Sequence, residues 1–503
     1  MANFYTGAFM SKQSNQVFRR PHAVAQACGL SLLGLWFGAA QAAQDCAPAR
    51  QTSVYTATPT GPVKGGGSPL ALTPCASYTG LGTAEISVAV DDDGTVVMAP
   101  VHSSAGTIEI AKSSDNGVTW STVQPKLANG KPHTRIQPYM KRDPLTGRLF
   151  FHTGRSSIAQ LSVKTGFDMS YSDDAGATWT PTAVEVGSID WAKVLPGAPV
   201  NGLRSDGYPN NLYLSTPTPI STPAFIANPK EQVVMKSEDG GKTWAKAGGF
   251  SLVPKVNGCP ATEWSLWGDG VVTADGSIVI GGRRCANFGL AISHDEGKTW
   301  AVKNLPDASL ISYKFITNVP FNPNYVMPSP LAIDSEDNLY AVWPDQQNKV
   351  RMSISRDKGE TWSKSVVVSD VDVTAAIYPA ITVKAPGQVA IAYYASVVSA
   401  KTKFHGFVAE STNVLDEAPV FTSVTINDRA APLHAANFDV GYIGMFVGGD
   451  LNEIVQIQYG PNGDLFASFA KDMCPASKCV KDWDKKAKGN SKWQAVLGRV
   501  IHR

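Results

Sequence analysis

Four arginines, Arg204, Arg283, Arg284 and Arg351, are the side chains of this chain best suited to hold a ligand. A guanidinium fork grips a carboxylate in a bidentate way, so such a set points to an anionic or polyhydroxylated ligand. Two carboxylates, Glu85 and Glu263, and one tyrosine, Tyr378 in Ala-Ile-Tyr-Pro-Ala-Ile-Thr-Val, complete the candidate group. Other chemistry is poorly supported. His102, His133, His152 and His434 could serve a metal-dependent lyase or hydrolase only if the fold gathered them, and neither H-x-x-x-H nor H-E-x-x-H occurs. There is no G-x-S-x-G elbow. Gly65-Gly66-Gly67 is followed by Ser-Pro with no Lys-Ser/Thr, so it reads as a linker and not a phosphate loop. No cofactor and no metal is expected.

What must position these residues is a repeat. The pattern Ser-x-Asp-x-Gly-x-Thr-Trp starts at Ser113, Ser172, Ser237, Ser293 and Ser355 and ends at Trp120, Trp179, Trp244, Trp300 and Trp362. A spacing of about 60 residues sets the architecture before any strand is assigned. Asp accepts bonds from its own neighbouring backbone, and Ser does so more weakly, which fixes a turn. Gly tolerates a left-handed backbone. Thr begins the next strand, and Trp buries a large ring between sheets. The pattern is a hairpin clasp, and its Asp is structural.

Tight turns at Asp93-Gly94, Thr146-Gly147, Pro209-Asn210, Asp275-Gly276, Asp337-Asn338, Pro386-Gly387 and Asn462-Gly463 interleave with the clasps. Apolar residues alternate around them, as in Ile86, Val88 and Val90, so these are hairpins. Hairpin plus clasped hairpin makes a four-stranded sheet, and several such sheets arranged radially make an all-β fold, a single β-propeller. Seven inner hairpins favour seven blades, with six as the alternative. The stretch from Ser411 to Phe421 reads as a decayed clasp. The N-terminal segment Thr52 to Thr58 is expected to complete the last blade and remove its free edge.

The clasp is the Asp-box, or BNR repeat, and the chain from about Thr83 to Asp472 resembles the sialidase-like superfamily of Asp-box propellers. Similar boxes occur in enzymes and in non-catalytic proteins, so the resemblance implies the fold more than the function. On the face where inner strands begin, it places Glu85, His102, Arg135, Gln137, Arg155, Arg204, Glu263, Arg283, Arg284, Asp345, Tyr378, Tyr394, Asp439 and Asp472. In a sialidase three Arg hold the sugar carboxylate, a Tyr activated by a Glu attacks the anomeric carbon, and an Asp is acid/base; the tyrosine nucleophile is an exception among glycosidases. By resemblance Tyr378 is the nucleophile, Arg283 the second Arg and Arg351 the third. Glu263 lies on the strand of the activating Glu, with Trp267 in its expected place. The first Arg of the family is replaced by Glu85-Ile86-Ser87, and between Val101 and Ile110 only His102 and Glu109 ionise. The reading is an exported glycoside hydrolase for an acidic or modified sugar with an incomplete sialidase set; the alternative is a non-catalytic glycan- or protein-binding or assembly propeller.

With 44 Lys+Arg against 42 Asp+Glu, the charge offers no footprint for nucleic acid. Residues 1–42 read as an export signal: Arg19-Arg20, an apolar run from Gly29 to Ala39, and Ala40-Gln41-Ala42 before a cleavage at Ala43. The arginine pair leaves a twin-arginine route open beside standard export. The apolar run is too short to span ~30 Å of hydrocarbon. A secreted or periplasmic monomer is expected, binding a carbohydrate or acidic small molecule. Residues 43–80 form an N-terminal segment, 81–473 the propeller and 474–503 a basic, solvated tail. Proximity pairs Cys46 with Cys75, Cys259 with Cys285, and Cys474 with Cys479, although the six cysteines that stay once Cys28 leaves with the signal allow fifteen pairings.

Overall fold

Each Asp-box bonds within itself. In the first, Ser113 Oγ donates to Asp115 Oδ1 (2.7 Å) and accepts the Gly117 N–H (2.8 Å). Asp115 accepts the Thr119 N–H (2.8 Å) and hydroxyl (2.6 Å), and the Trp120 indole donates to Gly117 O (3.1 Å). The other four boxes repeat these bonds. The turn needs two left-handed residues in succession, as at Gly240 (φ 70) and Gly241 (φ 87). Gly241 has a second constraint, because a Cβ there would stand 2.7 Å from the Phe150 ring. Each box Trp then packs its sheet on the preceding one: Trp300 lies 5.2 Å from Phe250, and Trp120 sits beside Phe466 and Leu497. Ser411 still bonds Asn413 (3.0 Å), which caps Val420 N–H (2.9 Å), so the decayed clasp keeps its first contact and loses its Trp.

The computed structural model describes residues 40–41, 43–46, 52–102, 108–133, 138–155, 165–200, 207–219, 229–256, 258–259, 266–310, 330–398, 403–434, 455–472 and 493–503. Residues 1–39 of the expected signal lie outside them, as do Cys474 and Cys479. All described elements are strands paired antiparallel with their sheet neighbours. Seven meanders can be traced among them. Their innermost strands are Leu72–Val90 (its second half), Tyr139–Arg142, Lys193–Pro199, Leu266–Val272, Leu331–Ile333, Ala375–Ala385 and Ile457–Tyr459. Val88, Lys141, Lys193, Gly270, Ala332, Ile381 and Ile457, one from each, line a single channel of about 410 Å³. A radial array is the arrangement in which seven inner strands share one cavity. The fold is a β-propeller.

The ring closes differently from the expectation. Ser53–Thr56 does not complete the last sheet; it pairs with Val420–Thr425 as an extra strand of the sixth. The seventh sheet is completed by the first half of Leu72–Val90, whose residues from Leu72 to Thr83 pair with Trp493–His502. That last strand also pairs with Leu465–Asp472. Trp493–His502 of the expected basic tail is therefore an inner strand of the sheet, with Ala495, Val496, Leu497 and Val500 fully buried. The propeller extends past residue 473 and begins before residue 81. Arg499, whose charge suggested a solvated end, donates to Asp464 at 2.9 and 2.5 Å. Disulfides join Cys46 to Cys75 and Cys259 to Cys285, as expected.

The box carboxylates make the fold acid-sensitive. The Thr299 hydroxyl and N–H hold Asp295 down to about 2. At Asp115, Asp174, Asp239 and Asp357 burial opposes the charge, but the Thr and Ser bonds outweigh it and these too lie below the ordinary value. A carboxylate lowered on folding stabilises fully above its unfolded value, roughly pH 4, and the contribution is lost as pH falls through the folded value. The thermal midpoint is expected to hold from pH 6 to 4 and to fall steadily toward pH 2. A level midpoint down to pH 2 would contradict this.

Candidate functional site

The inner strands all start at one end of the channel, and a compact polar group is gathered there. Tyr139 opens the second inner strand and Lys193 the third, with Trp191 just before it. Lys193 Nζ lies 3.8 Å from the Tyr139 ring centroid and 5.6 Å from that of Trp191. Across the channel Tyr139 donates its hydroxyl to Asp269 (3.3 Å). Asp269 reaches the wall because the register shifts between Trp267 and Gly270, a bulge that Gly268 and Gly270 flank. Trp191 is held at φ 58, a left-handed backbone that a bulky residue adopts only when its surroundings impose it. Gln456, just before the seventh inner strand, ties the first and second sheets together, accepting Val88 N–H (3.1 Å) and donating to Met140 O (3.4 Å).

Electrostatics keep the layer beneath neutral. Burial lowers His152 to about 3, and Lys193 pushes the same way. Burial lowers His133 to about 4; its ring nitrogens meet Thr153 Oγ1 (3.1 Å) and Ser170 Oγ (2.9 Å). Burial, then the Asp269 carboxylate, push the Tyr139 phenol far above its ordinary value. The group thus brings the Tyr139 and Trp191 rings, the Lys193 amine and the Asp269 carboxyl to one stretch of the channel wall. Aromatic faces stack on sugar rings, the ammonium takes an anionic substituent, and the carboxylate takes hydroxyls.

The expected residues scatter. Arg204 and Glu263 lie outside the described residues, as do Arg135, Gln137 and Asp439. Glu85 falls within the first inner strand, at the register shift between Thr83 and Ser87. Arg283 and Arg284 end the second strand of the fourth sheet, Arg283 pairing with Leu266 at the start of the inner strand. Arg284 donates to Asn304 (2.9 Å), and neither arginine is among the residues lining the channel. A second strand lies one layer out from the hub. Arg351 is a structural residue: it bonds Asp345 (2.5 Å), Ser365 (3.2 Å) and the Pro59 carbonyl (3.1 Å), on the third strand of its sheet. Asp345, expected on the axis, is that partner. Arg155 pairs with Asp168 (3.0 Å).

Tyr378 stands at the start of the sixth inner strand, at a bulge between Ile377 and Ala380 and with φ 52. Its ring is 1% exposed, in a cluster with Tyr394, Leu433 and Phe469 between the sixth and seventh sheets. Near it, His434 Nδ1 meets Asp472 (2.9 Å), and the His434 ring lies 5.2 Å from Tyr394. The His133 side chain, from the connection before the second sheet, bonds Thr153 and Ser170 beside His152, whereas His434 follows the sixth sheet; among the described residues no group of three or more His, Cys, Asp or Glu could hold a metal. Sequence reasoning missed Tyr139, Trp191, Lys193 and Asp269. Trp-Ala-Lys before a Val-Leu-Pro run was the available signal for the third sheet. It was hidden because the strands flanking the turn end at Pro199 and Asn210, which pair with each other across a long connection and not a tight one.

Fold and clasps define an Asp-box β-propeller. Residues 220–399 match the family model described as the BNR repeat-like domain. No curated protein matches the chain. Among solved structures, the NanB sialidase of Streptococcus pneumoniae is similar at 11% identity, covering 92% of this chain and 94% of that one, with a TM-score of 0.39. The α-L-arabinofuranosidase arb93a of Fusarium graminearum is similar at 15% identity over 69% of this chain and 94% of that one, with a TM-score of 0.38. The lectin of Aleuria aurantia is similar at 12% identity over 65% of this chain and 91% of that one, with a TM-score of 0.39.

Proposed function

We propose that this chain is an exported, seven-bladed Asp-box propeller that binds an acidic or modified sugar at the channel mouth where the inner strands begin. The observation that carries this reading is the convergence of Tyr139, Trp191, Lys193 and Asp269 on one cavity from three different sheets. Stacking faces beside a cation and an acceptor suit a polyhydroxylated anion better than an apolar ligand. Two disulfides favour an oxidising compartment, in keeping with secretion or a periplasmic location.

A glycan array probed with the purified protein tests the reading. Uronic-acid or sialic-acid glycans are expected to bind, and Lys193→Ala to weaken them at least about tenfold, which is ~1.4 kcal/mol. Retention of neutral glycans only, or equal binding by the variant, would reject it.

The left-handed backbone of Tyr378 favours a second, catalytic reading, because strain of this kind clusters at working residues. In it Tyr378 serves as nucleophile or base in hydrolysis of the bound sugar, with Glu263 as activator and Arg283, Arg284 and Arg204 as the anion clamp. Fluorogenic sialosides and uronides run alongside the array decide it. Turnover abolished by Tyr378→Phe supports hydrolysis, and turnover unchanged by that variant removes it.

A further inference from the structure

The turn that follows Arg283 and Arg284 is built from the wrong residues for its shape. Ile278–Arg284 and Asn287–Ser293 pair through Arg284 and Asn287, so Cys285 and Ala286 alone make the loop. Both are left-handed, at φ 49 and φ 60. That is the sign pattern of a type I′ hairpin turn, for which Asn-Gly and Asp-Gly are the favoured pairs. A side chain on either residue brings Cβ against the following carbonyl, which an L-residue resists. Such a conformation persists only where its surroundings over-determine it.

The surroundings hold the turn at several points. Cys285 is bonded to Cys259, which is buried and whose N–H donates to Pro254 O (2.9 Å). Asn287 Nδ2 donates to Cys285 O (2.8 Å), and Leu310 N–H donates to Ala286 O (2.9 Å). Arg284 packs its stem over Gly289, where an added Cβ would lie 2.7 Å from Arg284 Cβ. Leu310 in turn bridges Asp345 of the fifth sheet. The hydrogen bonds can form only once the turn has its shape, whereas the covalent bond restrains it throughout.

We propose that the Cys259–Cys285 disulfide is a positioning element that holds this unfavourable turn and thereby fixes the Arg283–Arg284 corner at the mouth end of the fourth sheet. The importance of that corner for a ligand rests on the catalytic reading, in which these arginines belong to the anion clamp; the mechanical claim does not. Opening the bond with a dithiol is a balanced exchange: the protein disulfide gains two electrons and two protons to give two thiols, and the dithiol becomes its own disulfide. The freed turn then relaxes, and the corner loses its fixed aim.

Hydrogen exchange on the full chain tests this without reference to any sugar. In C259S/C285S, amides from 284 to 288 and at 310 are expected to exchange at least about tenfold faster than in the parent, while those of the first sheet are unchanged. C259S/C285N/A286G, which lacks the disulfide but carries the favoured turn pair, is expected to return them to within about twofold of the parent. Parent-like exchange in C259S/C285S would overturn the proposal. So would a failure of the Asn-Gly variant to restore protection, because the bond would then act by constraining the chain generally. If C259S/C285S does not fold, a folded Asn-Gly variant supports the proposal and an unfolded one refutes it. Loss of glycan binding in the parent leaves every one of these outcomes readable.

Discussion

A chain ending at Lys492 is expected to show no cooperative unfolding transition and to aggregate on expression. The missing strand, Trp493–His502, lies between Leu465–Asp472 and the first half of Leu72–Val90. It buries Ala495, Val496, Leu497 and Val500 completely. Burial of a Val or Leu side chain is worth about 1.5–3 kcal/mol. Three such side chains together reach the range of a whole protein's net stability, roughly 5–15 kcal/mol. Removal also leaves two long sheet edges unpaired, which invites association with other chains. Circular dichroism melts and size-exclusion profiles of the truncated and full chains check it. A truncated chain that melts within a few degrees of the parent would show these residues to be the dispensable tail that their neighbours' charge suggested.

Glu410→Ala is expected to cost about 3–5 kcal/mol, the range for breaking a buried charged network by removing one member. Glu410 is 0% exposed and accepts from three directions. His502 Nε2 lies 2.6 Å away, the Tyr459 hydroxyl 2.9 Å and Gln388 Nε2 3.1 Å. The network joins the sixth sheet to the closing strand and to the channel wall, since Tyr459 lines the channel. Burial, then the Glu410 carboxylate, hold the Tyr459 phenol far above its ordinary value, so it stays a donor. Glu410→Gln, which keeps an acceptor, should cost about 1–2 kcal/mol. Urea unfolding of both variants measures the difference. In a double-mutant cycle with His502→Ala, the two losses should fall short of adding, because both act on one contact. Strict additivity would place His502 outside the network.

Legibility followed the range of the interactions. The Asp-box could be read from eight residues because nearly all its bonds run inside those eight, from Ser113 to Trp120 and likewise in each copy. Tight inner turns were visible for the same reason: Gly94 N–H reaches back to Asp91 O, and Gly276 N–H to Thr273 O. The third sheet was misplaced where the turn was long. Tyr378 was correctly set near the start of an inner strand, but its burial against Tyr394 and Phe469 depends on a neighbouring sheet. Arg351 was read by resemblance as the third ligand-holding arginine, and in the fold it is paired with Asp345 at 2.5 Å. Asp269 carries no signature of its own; only the bulge around it turns the carboxylate toward the channel.

Sequence alone therefore established the repeating clasped sheet and the wheel-like array that follows from it, since each rests on neighbours along the chain or on a period. The closure of the ring and the membership of the hub emerged only on folding. Leu72 finds His502, and Tyr139 finds Lys193 and Asp269, through contacts whose partners stand far apart along the chain. Such pairings are chosen by the burial and charge balance of the finished array, and no short stretch of residues encodes them.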